Sequence, residues 1–211
     1  GKDLKKNPAH LKVIEKWLKS YRPHELFEKD GRPAPDILAQ CPKGDARISK
    51  NPHSFGGDIR VPLHLPPLDE HWVVVKERGA TQASAMDALG EYLKGVITSN
   101  EKEKNFRIVC PDELESNMLG AVLSVTKRQY LWPVPPGSQD IGPYGRVLEV
   151  LSEHNCQGWL QGYLLTGRHG IFPCYEAFLQ IVDGMINQYS KFLKSAMEVP
   201  WRKPISSLNF I

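Results

Sequence analysis

Arg146-Val147-Leu148-Glu149-Val150-Leu151, followed by Ser152-Glu153-His154-Asn155-Cys156-Gln157-Gly158-Trp159, decides the fold. The first six residues are mostly apolar and partly β-branched, and they predict a strand. Four polar residues come next. From Cys156 to Leu165 the pattern is helical, and Gly167 is a suitable end signal. A strand that runs through a short polar turn into a helix is the repeating unit of a parallel sheet with crossover helices.

The same alternation extends to both sides. Trp72-Val73-Val74-Val75 predicts a strand, and Thr81 to Asn100 a helix with Met86, Leu89, Leu93, Val96 and Ile97 on one face. Phe106-Arg107-Ile108-Val109-Cys110 predicts a second strand, apolar enough for burial on both faces. Tyr175 to Ala196 predicts one long helix, with Phe178, Val182, Met185, Ile186, Tyr189 and Leu193 on its buried side. Ser206 to Ile211 predicts a last strand. The expected class is therefore α/β, a parallel sheet with crossover helices over residues 71–211. The last predicted strand ends without a covering helix, so the expectation is a piece of a longer protein.

Residues 1–70 have a different texture. Pro8 opens one short helix with Leu11, Ile14 and Leu18 as its stripe, and Pro23 ends it. Prolines and glycines then recur from Gly31 through Asn51-Pro52-His53 to Pro67, as in an extended arm or interdomain linker. Trp17 and Tyr21 suggest that this arm packs on something.

Bulk numbers exclude several classes. The 211 residues are 41% apolar and 24% charged, with a net charge of +3, which is ordinary for a globular protein and gives no footprint for nucleic acid. No apolar run approaches the roughly 20 residues that cross a bilayer, so no membrane partner is expected. Gly1-Lys2-Asp3-Leu4-Lys5-Lys6 is not the start of a signal peptide. Cys41, Cys110, Cys156 and Cys174 form no Cys-x-x-Cys pair, so the expectation is reduced thiols in a cytoplasmic protein and no zinc site.

In open parallel sheets ligands lie beyond the carboxyl ends of the strands. Two segments have that position. In Pro111-Asp112-Glu113-Leu114-Glu115-Ser116-Asn117 one reading is a capping box, Asp112 with Glu115, at a helix start. The other reading makes Asp112 and Ser116 the lining of a polar pocket. In Ser152-Glu153-His154-Asn155 one reading is again a cap, and the other a site, because polar groups crowded against an apolar strand are costly without partners. Arg168 and His169 suit a phosphate, or simply the carboxyl end of a helix. Tyr175 and Phe178, three residues apart, read as core or as a cofactor wall.

Longer motifs narrow the choice. The run from Gly145 to Leu160, its continuation Gly162-Tyr163-Leu164-Leu165-Thr166-Gly167-Arg168-His169-Gly170, and Tyr175-Glu176-Ala177-Phe178 closely resemble the xylulose-5-phosphate/fructose-6-phosphate phosphoketolases. Pro200-Trp201-Arg202, Ser206-Ser207-Leu208-Asn209, Trp17-Leu18-Lys19-Ser20-Tyr21-Arg22-Pro23 and Asn51-Pro52-His53 agree. The related transketolases share only the Glu-His pair and the general architecture.

The resemblance implies a thiamine-diphosphate and magnesium enzyme that cleaves a ketose phosphate with inorganic phosphate, giving acetyl phosphate and an aldose phosphate. It implies a homodimer in which the cofactor lies between a pyrimidine-binding domain, which this chain resembles, and the diphosphate-binding domain of another subunit. Glu153 matches the glutamate at the pyrimidine ring nitrogen, a group expected to be buried with a raised pKa. Tyr175 and Phe178 match aromatic residues beside the pyrimidine. Asp112 and Ser116 match polar residues near the cofactor, and Ser116 and Tyr175 also face substrate. Two departures limit the match. The family often has Arg two residues after the matched serine, where this chain has Met118. The magnesium motif and a histidine-rich segment are missing, so no metal ligand is assigned and the chain alone is expected to be inactive. Transketolase-like ketol transfer and a non-catalytic scaffold remain the alternatives.

Overall fold

The computed structural model describes residues 6–211; the charged start, Gly1 to Lys5, lies outside them. The chain divides into two compact units, one ending at Lys50 and the other running from Asn51 to Ile211.

In the first unit α1 spans Pro8–Ser20. Asn7 caps it, its side chain accepting from the backbone N–H of Ala9 and His10, and Pro8 occupies the first turn where no donor is needed. Arg22, at φ 53, turns the chain into a short 3-10 segment, Pro23–Glu25, so the helix ends where Pro23 predicts. A five-residue helix α2, Pro35–Ala39, follows. No described side chain of this unit is fully buried, and Leu11, Trp17, Leu18 and Tyr21 are all more than half exposed.

The second unit is built on α3 (Ala85–Ser99), β1 (Phe106–Cys110), β2 (Arg128–Gln129), β3 (Ile141–Gly142), β4 (Val147–Glu149), α4 (Glu153–Leu165), β5 (His169–Phe172), α5 (Glu176–Leu179), α6 (Asp183–Ala196) and β6 (Asn209–Phe210). The six strands form one sheet in the order β3-β2-β4-β1-β5-β6, and every pairing is parallel. The α/β expectation is met. β1 lies at the centre, with Ile108 opposite Val147 on one side and Ile171 on the other.

Alternation along the strands fills two cores. Ile108, Cys110, Val147 and Ile171 face α3, whose Leu93, Val96 and Ile97 complete that layer. Val109 and Phe172 face the other way and pack on Cys156, Leu160 and Leu164 of α4 and on Val182. Within this unit the stretch before Glu70 is tied to the sheet and α3 by Val61 and His64. Asn100 exchanges hydrogen bonds with the backbone of His64, at 3.0 and 2.8 Å, and Val61 O accepts from Asn105 and contacts the His169 ring.

Four local expectations are corrected. Trp72 to Val75 is not a strand: all four side chains are about half exposed or more, and the run lies on neither edge of the sheet, so its backbone has no ladder to join. The predicted helix from Tyr175 begins at Glu176 and tightens into a 3-10 turn at Gln180–Val182, which brings Val182 fully into the core. Phe178, expected on the buried side, is 41% exposed because it precedes that turn. The capping box at Asp112 does not form. Asp112 takes φ 65, away from the extended conformation of a usual capping residue, and the segment to Met118 is a series of turns.

Candidate functional site

The sheet brings three chain segments to one edge. β1 ends at Cys110, β4 at Glu149 in register with it, and β5 at Phe172. Asp112 and Ser116 therefore follow β1, Glu153 follows β4, and Tyr175 and Phe178 follow β5, on three adjacent strands at their carboxyl ends. The sequence alone leaves these five residues scattered; parallel pairing gathers their segments.

Glu153 is the first residue of α4. Ser152 performs the capping, its Oγ accepting from Asn155 N at 3.3 Å, so Glu153 is not spent as the cap. It is half-buried, not fully buried as expected, and among the described residues its carboxylate accepts no hydrogen bond. Its charge acts on two cysteine thiols, Cys156 and Cys174. Burial pushes the Cys156 thiol up to about 12, and the adjacent Glu153 charge adds to the shift. Burial likewise raises the Cys174 thiol to about 11, with Glu113 and then Glu153 contributing. Both carboxylates thus act on the residue that precedes Tyr175.

The rings of Tyr175 and Phe178 lie 6.2 Å apart, tilted by 31°, and each is 41% exposed. They form an open aromatic wall, not core. Ser116 Oγ donates to Glu113 O at 3.3 Å and is exposed; Asp112 is exposed at its left-handed turn.

Three supporting residues escape a reading of the sequence. Glu113 is 8% exposed, and its Oε2 accepts from Tyr175 N at 2.9 Å. Glu149, at the end of β4, accepts from Leu114 N at 3.2 Å and pairs with Arg128 Nε. Arg128 also reaches Asp140 at 2.7 Å and Glu115 at 3.0 Å. Alternation along β4 places Glu149 with the buried Val147, and that conflict between polarity and position is the only sequence signal for it.

The groups at this edge suit one part of a cofactor and not another. A half-buried carboxylate with no hydrogen-bond donor among the described residues, at the same end of the sheet as an exposed aromatic pair, fits one face of a planar nitrogen heterocycle. Among the described residues no group of three or more His, Cys, Asp or Glu is placed to hold a metal ion. No described helix is long and apolar enough to cross a membrane.

Residues 87–211 match the sequence model of the D-xylulose 5-phosphate/D-fructose 6-phosphate phosphoketolase family, more than half of the chain. The chain belongs to the phosphoketolase family. Residues 2–59 match the model described as the XFP N-terminal domain. The probable phosphoketolase of Mesorhizobium japonicum is 52% identical over 208 residues, covering 99% of this chain and 26% of that protein. Those of Brucella abortus and Rhodopseudomonas palustris strain HaA2 are 51% and 50% identical, again over 26% of their length. This phosphoketolase chain spans about a quarter of the length of the curated relatives it matches.

Proposed function

We propose that the chain is the pyrimidine-side half of a thiamine-diphosphate phosphoketolase that cleaves xylulose 5-phosphate, fructose 6-phosphate or both with inorganic phosphate. The observation that carries this reading is the Glu153 carboxylate, free of intrachain hydrogen bonds among the described residues and set at the carboxyl edge of the sheet where Tyr175 and Phe178 also emerge. Bound thiamine diphosphate would supply the nucleophilic carbon and the electron sink for carbon–carbon cleavage. Glu153 holds or shares a proton at the pyrimidine ring nitrogen. Tyr175 and Phe178 pack on the ring and exclude water from it. Asp112 and Ser116 present polar atoms to the cofactor, and Ser116 and Tyr175 also to the sugar phosphate. Magnesium is held by residues outside this chain, in the diphosphate-binding domain of another subunit of a cytoplasmic homodimer. The exposure of the aromatic wall suits a half-site, and the chain alone is inactive.

The test uses the full-length protein that carries this sequence, supplied with thiamine diphosphate, magnesium, fructose 6-phosphate and phosphate. Acetyl phosphate is the expected product. Glu153→Gln should reduce turnover by about 10²-fold or more, the usual contribution of a positioned proton-transfer group, with the thermal midpoint nearly unchanged. A folded, cofactor-loaded protein that makes no acetyl phosphate overturns the proposal. A new ketose formed without phosphate would mean transketolase-like transfer; no turnover at all would mean a scaffold.

A further inference from the structure

A second polar cluster lies at the opposite edge of the sheet. Arg107 is the second residue of β1, Arg146 directly precedes β4, and Arg168 directly precedes β5. Together with Tyr163 and Trp159 of α4 they line an open cleft of about 450 Å³. The cleft is on the α4 face, because Arg107 shares its side of β1 with Val109, which also lines it.

The cations are held in place by neutral partners. Arg146 is 7% exposed and donates to Phe106 O at 3.1 Å, to Lys104 O and to Tyr163 Oη at 3.0 Å. Arg107 donates to Gln129 Oε1 at 2.6 Å and to Gly145 O at 3.3 Å. Arg168 donates to Thr166 Oγ1 at 3.3 Å. The guanidinium carbons of Arg107 and Arg168 each lie 5.4 Å from the centroid of the same Tyr163 ring. Among the described residues none of the three arginines forms an ion pair with a carboxylate. Glu103 is the only acid in the lining, and it is exposed.

Gathered positive charge with no counter-charge is unfavourable unless something neutralises it. Burial, and then the neighbouring Arg146 and Arg168 charges, hold the Arg107 guanidinium below its ordinary pKa. The backbone and amide acceptors fix these side chains, yet they cancel no charge. Guanidinium groups are planar forks that suit the paired oxygens of a phosphate, and a dianion answers several of them at once. Trp159, 46% exposed, and Leu148 add an apolar wall for a carbon skeleton.

We propose that the Arg107–Arg146–Arg168 cleft binds a small organic phosphate, at a site separate from Glu153 and on the other edge of the sheet. Arg146 shapes the floor, and Arg107 and Arg168 grip the phosphate. The proposal does not depend on the reaction assigned to the Glu153 edge, and its test reads binding alone.

The experiment is calorimetric titration of the full-length, cofactor-loaded protein with glycerol 2-phosphate at low ionic strength. The comparison is with Arg168→Gln and with Arg107→Gln/Arg168→Gln. The wild type should bind at least about tenfold more tightly than either variant, the scale set by removing one charge-assisted hydrogen bond, and rising salt should weaken the wild type more. Arg168 donates only to the Thr166 hydroxyl among the described residues, so the single variant should keep the wild-type thermal midpoint and decides the matter if the double variant fails to fold. Equal affinity in wild type and Arg168→Gln overturns the proposal, as does no binding by the wild type. A structure of the full-length protein with a carboxylate of another segment seated on Arg107 and Arg168 would also overturn it.

Discussion

The carboxylate of Glu113 accepts the backbone N–H of Tyr175 at 2.9 Å, joining the turn after β1 to the turn after β5 across 62 positions of sequence. This bond fixes where the aromatic wall begins. Glu113→Ala leaves the Tyr175 donor without its partner and should cost about 1–3 kcal/mol. Glu113→Gln keeps an oxygen acceptor and should cost less than half as much. Urea unfolding of the two variants checks the order. Equal losses would mean that the bond contributes nothing beyond side-chain packing.

A second carboxylate supports the same turn from below. Glu149 holds Leu114 N and Arg128 at once, and its side chain is only 10% exposed. Glu149→Ala leaves Leu114 N without its acceptor and removes the least exposed partner of Arg128, so it should cost about 1–3 kcal/mol. Arg128 retains Asp140 and Glu115, both on exposed carboxylates worth about 0–1 kcal/mol each. Asp140→Ala or Glu115→Ala should therefore shift stability far less than Glu149→Ala. A loss from Asp140→Ala equal to that from Glu149→Ala would show that the outer pairs carry the arginine.

These pairings also mark where the sequence is readable. β1, β4, α3 and α4 are legible because their apolar periods match their burial, and Ser152 and Gly167 mark the ends of α4 by chemistry alone. β2 and β3 are not, since two residues cannot display a period. β5 is hidden because His169-Gly170 begins it, and a polar residue followed by glycine reads as a turn. Trp72 to Val75 misleads for the converse reason: apolar character without a strand edge to pair with. At the candidate site, the resemblance names Glu153 and the aromatic pair. Glu113, Glu149 and Arg128 act through pairings 12 to 62 positions away, which local pattern does not reveal.

Glycine at position 145 is required by space. A Cβ there would lie 2.2 Å from Lys127 O and 2.6 Å from Gln129 N, all backbone of the strand alongside. Backbone cannot rotate away as a side chain tip does. Gly145→Ala should push β2 off β4 and cost about 3 kcal/mol or more, read as a fall in thermal midpoint. Gly162→Ala, on α4 with nothing within reach of the new methyl, should be neutral or stabilising and serves as the control. Matching falls for both would refute the close-approach argument.

Three buried thiols give the fold a defined alkaline limit. Burial raises Cys156 from its ordinary 9.0 to about 12 and Cys174 to about 11, and raises Cys110 further in the same direction. Below pH 9 these thiols are protonated in both the folded and unfolded chains, and their contribution to stability is fully present. Above pH 9 the unfolded chain ionises while the folded one does not, so the unfolded state binds fewer protons and stability falls with rising pH. The loss should proceed from about pH 9 through 11 for Cys174 and 12 for Cys156. Urea midpoints measured at pH 8 and pH 10 should therefore decline, and Cys156→Ala/Cys174→Ala should flatten that decline while lowering the pH 8 value through poorer packing. At pH 8 both thiols should resist iodoacetamide in the folded protein and react on unfolding. Rapid alkylation of Cys156 in the folded state, read by peptide mass, would contradict the burial that sets the limit.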